Sequence, residues 1–98
     1  MLHARKSYNE RIQDSANIIP EDEPVFILRG QDKLAPVMLD IYCALSANTK
    51  GADIDIRVAV TEHAGRMRNW QRERKVKVAD MDSSDRLLGE FHPVPLAQ

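Results

Sequence analysis

Two stretches of helical hydrophobic spacing, separated by a four-residue loop signal, dominate what this chain can fold into. Leu34, Val37, Met38, Ile41 and Leu45 recur at the intervals of one helical face, and Asp32 ahead of them suits the cap of a helix. Pro36 falls in the first turn, where a missing N–H costs little. Asn48, Thr49, Lys50 and Gly51 then close that helix with a loop. Beyond the loop Ile56, Val60, His63, Met67 and Trp70 again recur every three or four residues. At 100° per residue these five span an arc of about 80°, a second helical face capped by Asp53 and running to about Glu73. Residues 53–60 also alternate in polarity as a half-buried strand does. The short preceding loop suits antiparallel neighbouring helices, so a helix is the expected form.

The remaining chain is arranged around this pair. Residues 1–17 are polar, with Tyr8 and Ile12 the only large side chains after Leu2; they read as an N-terminal arm with one helical turn near Tyr8. Pro20 and Pro24 frame Glu21, Asp22 and Glu23, a stiff lead-in to the strand-forming run Val25-Phe26-Ile27-Leu28-Arg29, which Gly30 ends. Residues 75–78 alternate again and could form a second short strand. A lone strand cannot satisfy its ladder. Residues 25–29 must therefore pair with residues 75–78, with the arm, or with the same strand of another subunit. The expected architecture is mainly α with minor β: a short strand followed by an antiparallel helix pair. It comprises an arm over 1–17, one folded domain over 18–78 and a flexible tail over 79–98. A domain this small buries only about 60–65 % of the surface its unfolded chain exposes. A partner copy would strengthen it, and self-association through the strand edge or the helix faces is expected.

At Ile19-Pro20-Glu21-Asp22-Glu23-Pro24-Val25-Phe26-Ile27-Leu28-Arg29-Gly30-Gln31-Asp32 the sequence resembles a family of small proteins encoded by bacteriophages and prophages. Their centre reads I-P-x-D-E-P-V-F-[LI]-[LI]-R-[GA]-[QK]-D. A helix follows, then a second helix ending in a pattern like H-A-x-x-M-x-x-W, here His63-Ala64-Gly65-Arg66-Met67-Arg68-Asn69-Trp70. Tyr8, Arg11, Ile12 and Asp14 also suit the pattern, so the resemblance covers about residues 8 to 70. It implies a phage accessory protein acting in the cytoplasm of a bacterial host, and it favours helix over strand after Asp53. No activity carries over from it to individual residues. Cys43 and the basic segment after Met67 depart from the pattern, which leaves the partner of this chain its own.

Composition narrows the function classes further. Fourteen Lys and Arg against fifteen Asp and Glu give a net charge of -1, so no global field draws in nucleic acid or an acidic membrane. The run Val25-Phe26-Ile27-Leu28 is four residues long, whereas a membrane span needs about twenty; no membrane association is expected. One cysteine, Cys43, excludes an internal disulfide and fits a reducing compartment. It lies beside the apolar stripe with no activating base nearby in sequence, as a small buried hydrophobe would. The four glycines are far apart, so there is no phosphate loop. His3, His63 and His92 lack metal spacing, and His63 reads as a core-edge histidine. Asp80, Asp82 and Asp85 begin like a calcium loop, but the sixth position is Asp85 and the twelfth Phe91, so the motif fails. Neither catalysis nor a metal or cofactor is expected.

Binding is then the class that remains. Arg29 and Asp32 bracket a glycine-containing turn between strand and helix, where helix N–H groups take anions readily. Tyr8 could stack on a flat ligand if the arm folds back. In a plainer assignment Asp32 only caps the helix and Arg29 pairs with a surface acid. Residues 66–77 hold Arg66, Arg68, Arg72, Arg74, Lys75 and Lys77 against Glu73 alone. Arg68, Arg72 and Lys75 share one side of the helix away from the apolar arc. Such cations also simply complement a helix C-terminus. The leading expectation is a phage counter-defence protein that sequesters a small anionic ligand, such as a nucleotide signal of host defence, with Tyr8, Arg29, Asp32, Arg68, Arg72 and Lys75 as contacts. One alternative is an inhibitor or adaptor of a host protein, using Glu21, Asp22 and Glu23 or the tail. Another is a nucleic-acid-associated regulator working through residues 66–77. It is disfavoured because Trp70, the single aromatic there, belongs to the apolar arc.

Overall fold

A computed structural model describes residues 1–81. The expectations for the tail from Asp82 onward lie outside the described residues. The chain forms two compact units, Met1–Ile27 with residues 80 and 81, and Leu28–Ala79.

In the first unit, β1 (Leu2–His3) pairs in parallel with β2 (Pro24–Val25), Leu2 opposite Pro24 and His3 opposite Val25. Of the three pairings open to the 25–29 run, the partner is the N-terminal arm. Pro24 has no N–H to give, so the ladder runs the other way, from the Leu2 and Ala4 amides to the Glu23 and Val25 carbonyls at 2.8 and 3.2 Å. The strand ends at Val25 rather than Arg29, and Phe26 is exposed. Between the strands lies α1 (Tyr8–Arg11), the single turn expected near Tyr8. A loop follows in which the Asp14 carboxylate accepts the Ile18 and Ile19 amides. These bonds, led by that of Ile19, hold the Asp14 carboxyl below the usual carboxylate range. His3 and Tyr8 are buried and meet edge to face, with centroids 6.0 Å apart. His3 Nε2 lies 2.9 Å from the Ile12 carbonyl.

The second unit is the helix pair. α2 (Ala35–Ala47) carries Pro36 in its first turn, and α3 (Ile54–Arg72) packs against it as its antiparallel neighbour. The ambiguous 53–60 segment is helix, and it ends one residue before Glu73. Asp53 caps it by accepting the Asp55 amide at 2.9 Å. The α2 C-terminus is closed by side chains: Asn48 Nδ2 donates to the Ala44 carbonyl and Thr49 Oγ1 to the Leu45 carbonyl. Gly51 then takes φ +85°, a left-handed turn in which a Cβ would clash with its own backbone. Asp32 is not the capping residue, since α2 begins three residues later with Leu34 at the cap. Its Oδ1 still accepts the Leu34 amide at 2.8 Å, an Asx turn leading into the helix. Residues 75–78 do not form a full strand. Lys77 makes one parallel bridge to Asp32, closed by Lys33 N–H to the Lys77 carbonyl and Lys77 N–H to the Gln31 carbonyl.

The helices meet through a different face of α2 than its large apolar stripe predicts. Ala35 and Pro36 are buried, and Leu39 and Cys43 are half-buried, on the side toward α3. Opposite them stand Ala64 and Met67, both buried, and the half-buried Val60. Small side chains let the backbones approach closely, which is the physical reason this face wins. Cys43 sits in that contact, its thiol 3.2 Å from Thr61 Oγ1 and 3.7 Å from the Arg57 carbonyl. Leu34, Val37, Met38, Ile41 and Leu45 all point outward. Among the described residues no helix is long and apolar enough to cross a membrane.

Candidate functional site: a cationic cleft on α3

Within the Leu28–Ala79 unit, residues 28–31 run along the side of α3 and leave a cleft of about 300 Å³. Leu28, Arg29, Gly30 and Gln31 form one wall, and His63, Arg66, Met67 and Trp70 the other. The α3 residues lie at i, i+3, i+4 and i+7, so one side of the helix presents them together. The turn is held at two points. Asp32 N–H donates to the Arg29 carbonyl at 3.0 Å. Gln71 Nε2 donates to both the Gly30 and the Asp32 carbonyls at 2.9 Å, tying the turn to α3. Gly30 lies against the indole, where an added Cβ would rest 3.8 Å from Trp70 Cε3.

Trp70 and His63 were both expected in the apolar arc of the core. Trp70 is 38 % exposed and His63 is exposed as well. The helix is rotated so that Val60, Ala64 and Met67 meet α2, which turns the other edge of the arc, Trp70 and His63, into the cleft. Arg74 stacks on the indole with Cζ 4.7 Å from the ring centroid, adding positive charge beside it. α3 ends at Arg72, before Arg74.

The six residues singled out from the sequence fall in several places. Arg29 lies in the cleft, exposed and without a side-chain partner among the described residues. Asp32 is 8 % exposed and supports the turn from behind through its bond to Leu34. Arg68 faces α2 and is clamped in a two-pronged pair with Asp40, Nη1 donating to Oδ1 at 3.3 Å and Nη2 to Oδ2. The pair lowers the Asp40 carboxyl below its ordinary value and raises Arg68 above its own. Arg72 and Lys75 are exposed and do not line the cleft. Tyr8 belongs to the first unit and is 6 % exposed, with Arg5 and Arg11 stacked on its ring at 5.9 and 5.6 Å.

The structure adds Arg66, His63, Trp70 and Gln71 to Arg29. Arg66 was legible as part of the basic segment, though not as distinct from the stripe of Arg68, Arg72 and Lys75. Gln71 left no signal, being one more polar residue on a helix. Among the described residues no group of His, Cys, Asp or Glu could hold a metal ion. Comparison of the chain with family models, with curated proteins and with solved structures finds no match.

Proposed function

We propose that the chain is a non-enzymatic phage accessory protein that binds and holds a small anionic ligand of nucleotide type in the cleft between residues 28–31 and α3. One observation carries this reading. Arg29 and Arg66, two guanidinium groups with no partner among the described residues, line the same cleft as the part-exposed indole of Trp70. A guanidinium matches a phosphate with two parallel N–H bonds. An indole offers the flat face on which a base stacks. A cleft of about 300 Å³ stands at the small end of ligand sites, suited to one nucleotide unit. The phage resemblance of residues 8 to 70 supplies the setting: a signal of host defence withdrawn from solution.

Trp70 is the single tryptophan of the chain, so its fluorescence reports on the site alone. Titration with AMP, GMP, a cyclic dinucleotide and inorganic phosphate should give saturable quenching by at least one nucleotide. Arg29→Ala or Arg66→Ala should weaken it about 10-fold or more, the worth of a charge-assisted hydrogen bond. Arg72→Ala and Lys75→Ala should change it little. No quenching by any of the four at millimolar concentration would refute the reading. Binding of oligonucleotides alone, with affinity falling by powers of ten as salt rises, would transfer the function to the basic segment.

A further inference from the structure

α2 is almost without charge: among Ala35–Ala47 only Asp40 is charged, and it is paired with Arg68. A helix apolar around most of its circumference is a helix buried on more than one side, yet only Ala35 and Pro36 of α2 are buried. Alongside that contact Met38, Ile41, Tyr42 and Leu45, at i, i+3, i+4 and i+7, line a groove of about 370 Å³ with Leu39, Leu28, Ile56 and Val60. Leu34 and Val37 extend it on the same arc of α2.

We propose that a second copy of this chain covers this face, two helix hairpins stacking into a four-helix bundle. The area fits a dimer. Met38, Ile41, Tyr42, Leu45 and Ile56 are 45–65 % exposed, and Leu34 and Val37 about half. At roughly 150–200 Å² for each full side chain, the face offers about 500–700 Å² per chain, a large apolar patch for a monomer. Face to face the two copies bury about 1,000–1,400 Å², at the lower end of specific interfaces. The chemistry fits as well. The groove is lined by aliphatic side chains, Met38 and the Tyr42 ring with no charged residue, so it selects no charged partner, and a two-fold axis sets the patch against itself. The spacing of the α2 residues is that of a bundle core. Finally, the fully buried apolar residues of the described hairpin are Ala35, Ala64 and Met67 together with Pro36. That is a small core, which a covering copy would enlarge.

Sedimentation equilibrium of the full chain, from about 1 to 200 µM, tests this. The wild type should carry at least two 11.1 kDa chains. Leu45→Glu should weaken association at least about 100-fold, since the removed side chain is counted twice across a two-fold interface and a charge is set against its mate. A monomeric wild type over the whole range would overturn the proposal whatever the variant does. An oligomer that Leu45→Glu leaves intact would overturn it equally. Circular dichroism of Leu45→Glu should keep the helical signal at concentrations where it is monomeric. Ile41→Thr, milder than a charge, should weaken association in the same direction.

Discussion

Met67 is the residue on which the hairpin's packing and the cleft both depend, and Met67→Ala measures the first directly. The side chain is 8 % exposed, wedged on the α3 face that meets α2. Truncation removes two carbons and the sulfur, about 2 kcal/mol of transfer free energy at 0.8 kcal/mol per methylene-sized group. The space left behind adds to this, and Met→Ala in a core runs to about 2–5 kcal/mol in all. A two-helix layer is open on one side and relaxes into the gap, which places this site near the lower limit, about 2–3 kcal/mol. For a domain of this size each kcal/mol lowers the midpoint by about 4–8 °C, so a fall of roughly 10–20 °C is expected. Val58, on the same helix but half exposed, is the control. Val58→Ala should cost under about 1 kcal/mol. The assay is thermal and urea unfolding followed at 222 nm, with all proteins at one concentration because an assembly's midpoint depends on it. If Met67→Ala unfolds within 1 kcal/mol of the wild type, or Val58→Ala costs as much, the packing face assigned to α3 is wrong.

Three further outcomes follow from single interactions. Gln71→Ala leaves the carbonyls of Gly30 and Asp32 without their shared donor; it should cost about 1–2 kcal/mol in urea unfolding and weaken the nucleotide quenching as well. Asp40 has its folded-state pKa below its unfolded one, so the stabilisation from its pair with Arg68 is full above about pH 4 and disappears as pH falls through the depressed value. Asp40→Asn should therefore lower the midpoint at pH 7, and the gap to the wild type should narrow as pH falls below about 4; an unchanged gap at low pH would remove the pair from the account. The two glycines of the hairpin should respond with opposite signs. Gly51→Ala forces a Cβ into φ +85° and should destabilise by about 1 kcal/mol. Gly65→Ala sits inside α3 with nothing within 4 Å of the new methyl and should stabilise by up to about 1 kcal/mol.

What the sequence discloses here is period, and period locates helices better than it orients them. The spacing of Leu34 to Leu45 and of Ile56 to Trp70 gave the two helices, the cap at Asp53, the first-turn place of Pro36 and the antiparallel loop, because those features depend on neighbours along the chain. The cap expected at Asp32 fell to Leu34 instead. The strand pairing was open among three partners, since nothing local distinguishes the arm from residues 75–78. Its strand also proved shorter than its composition, ending at Val25. Arg29 was legible because a turn between strand and helix exposes a basic side chain. Its companions were not, because grouping Arg66 and Trp70 with it depends on how far α3 is rotated against α2.

That rotation follows from size rather than hydrophobicity. Close helix packing goes to the face whose side chains are small enough to let the axes approach, here Ala35, Cys43 and Ala64, while the stripe of Met38, Ile41, Tyr42 and Leu45 is too bulky for it. A sequence reader who assigns the strongest apolar stripe to the chain's own core puts those four inside and Trp70 with them. Turning the small face inward has two consequences at once. It brings the indole and Arg66 round to the turn carrying Arg29, and it leaves a broad apolar face on α2, with Leu28 lining both the cleft and the groove. The cleft and the proposed dimer surface are thus two products of one packing choice. A bulky residue at Ala64 should disturb both: Ala64→Leu, overpacking a site 2 % exposed, should cost about 1–3 kcal/mol. It should also shift both the fluorescence of Trp70 and the dimer dissociation constant. A variant that moves one readout and spares the other would show that the two faces are set independently.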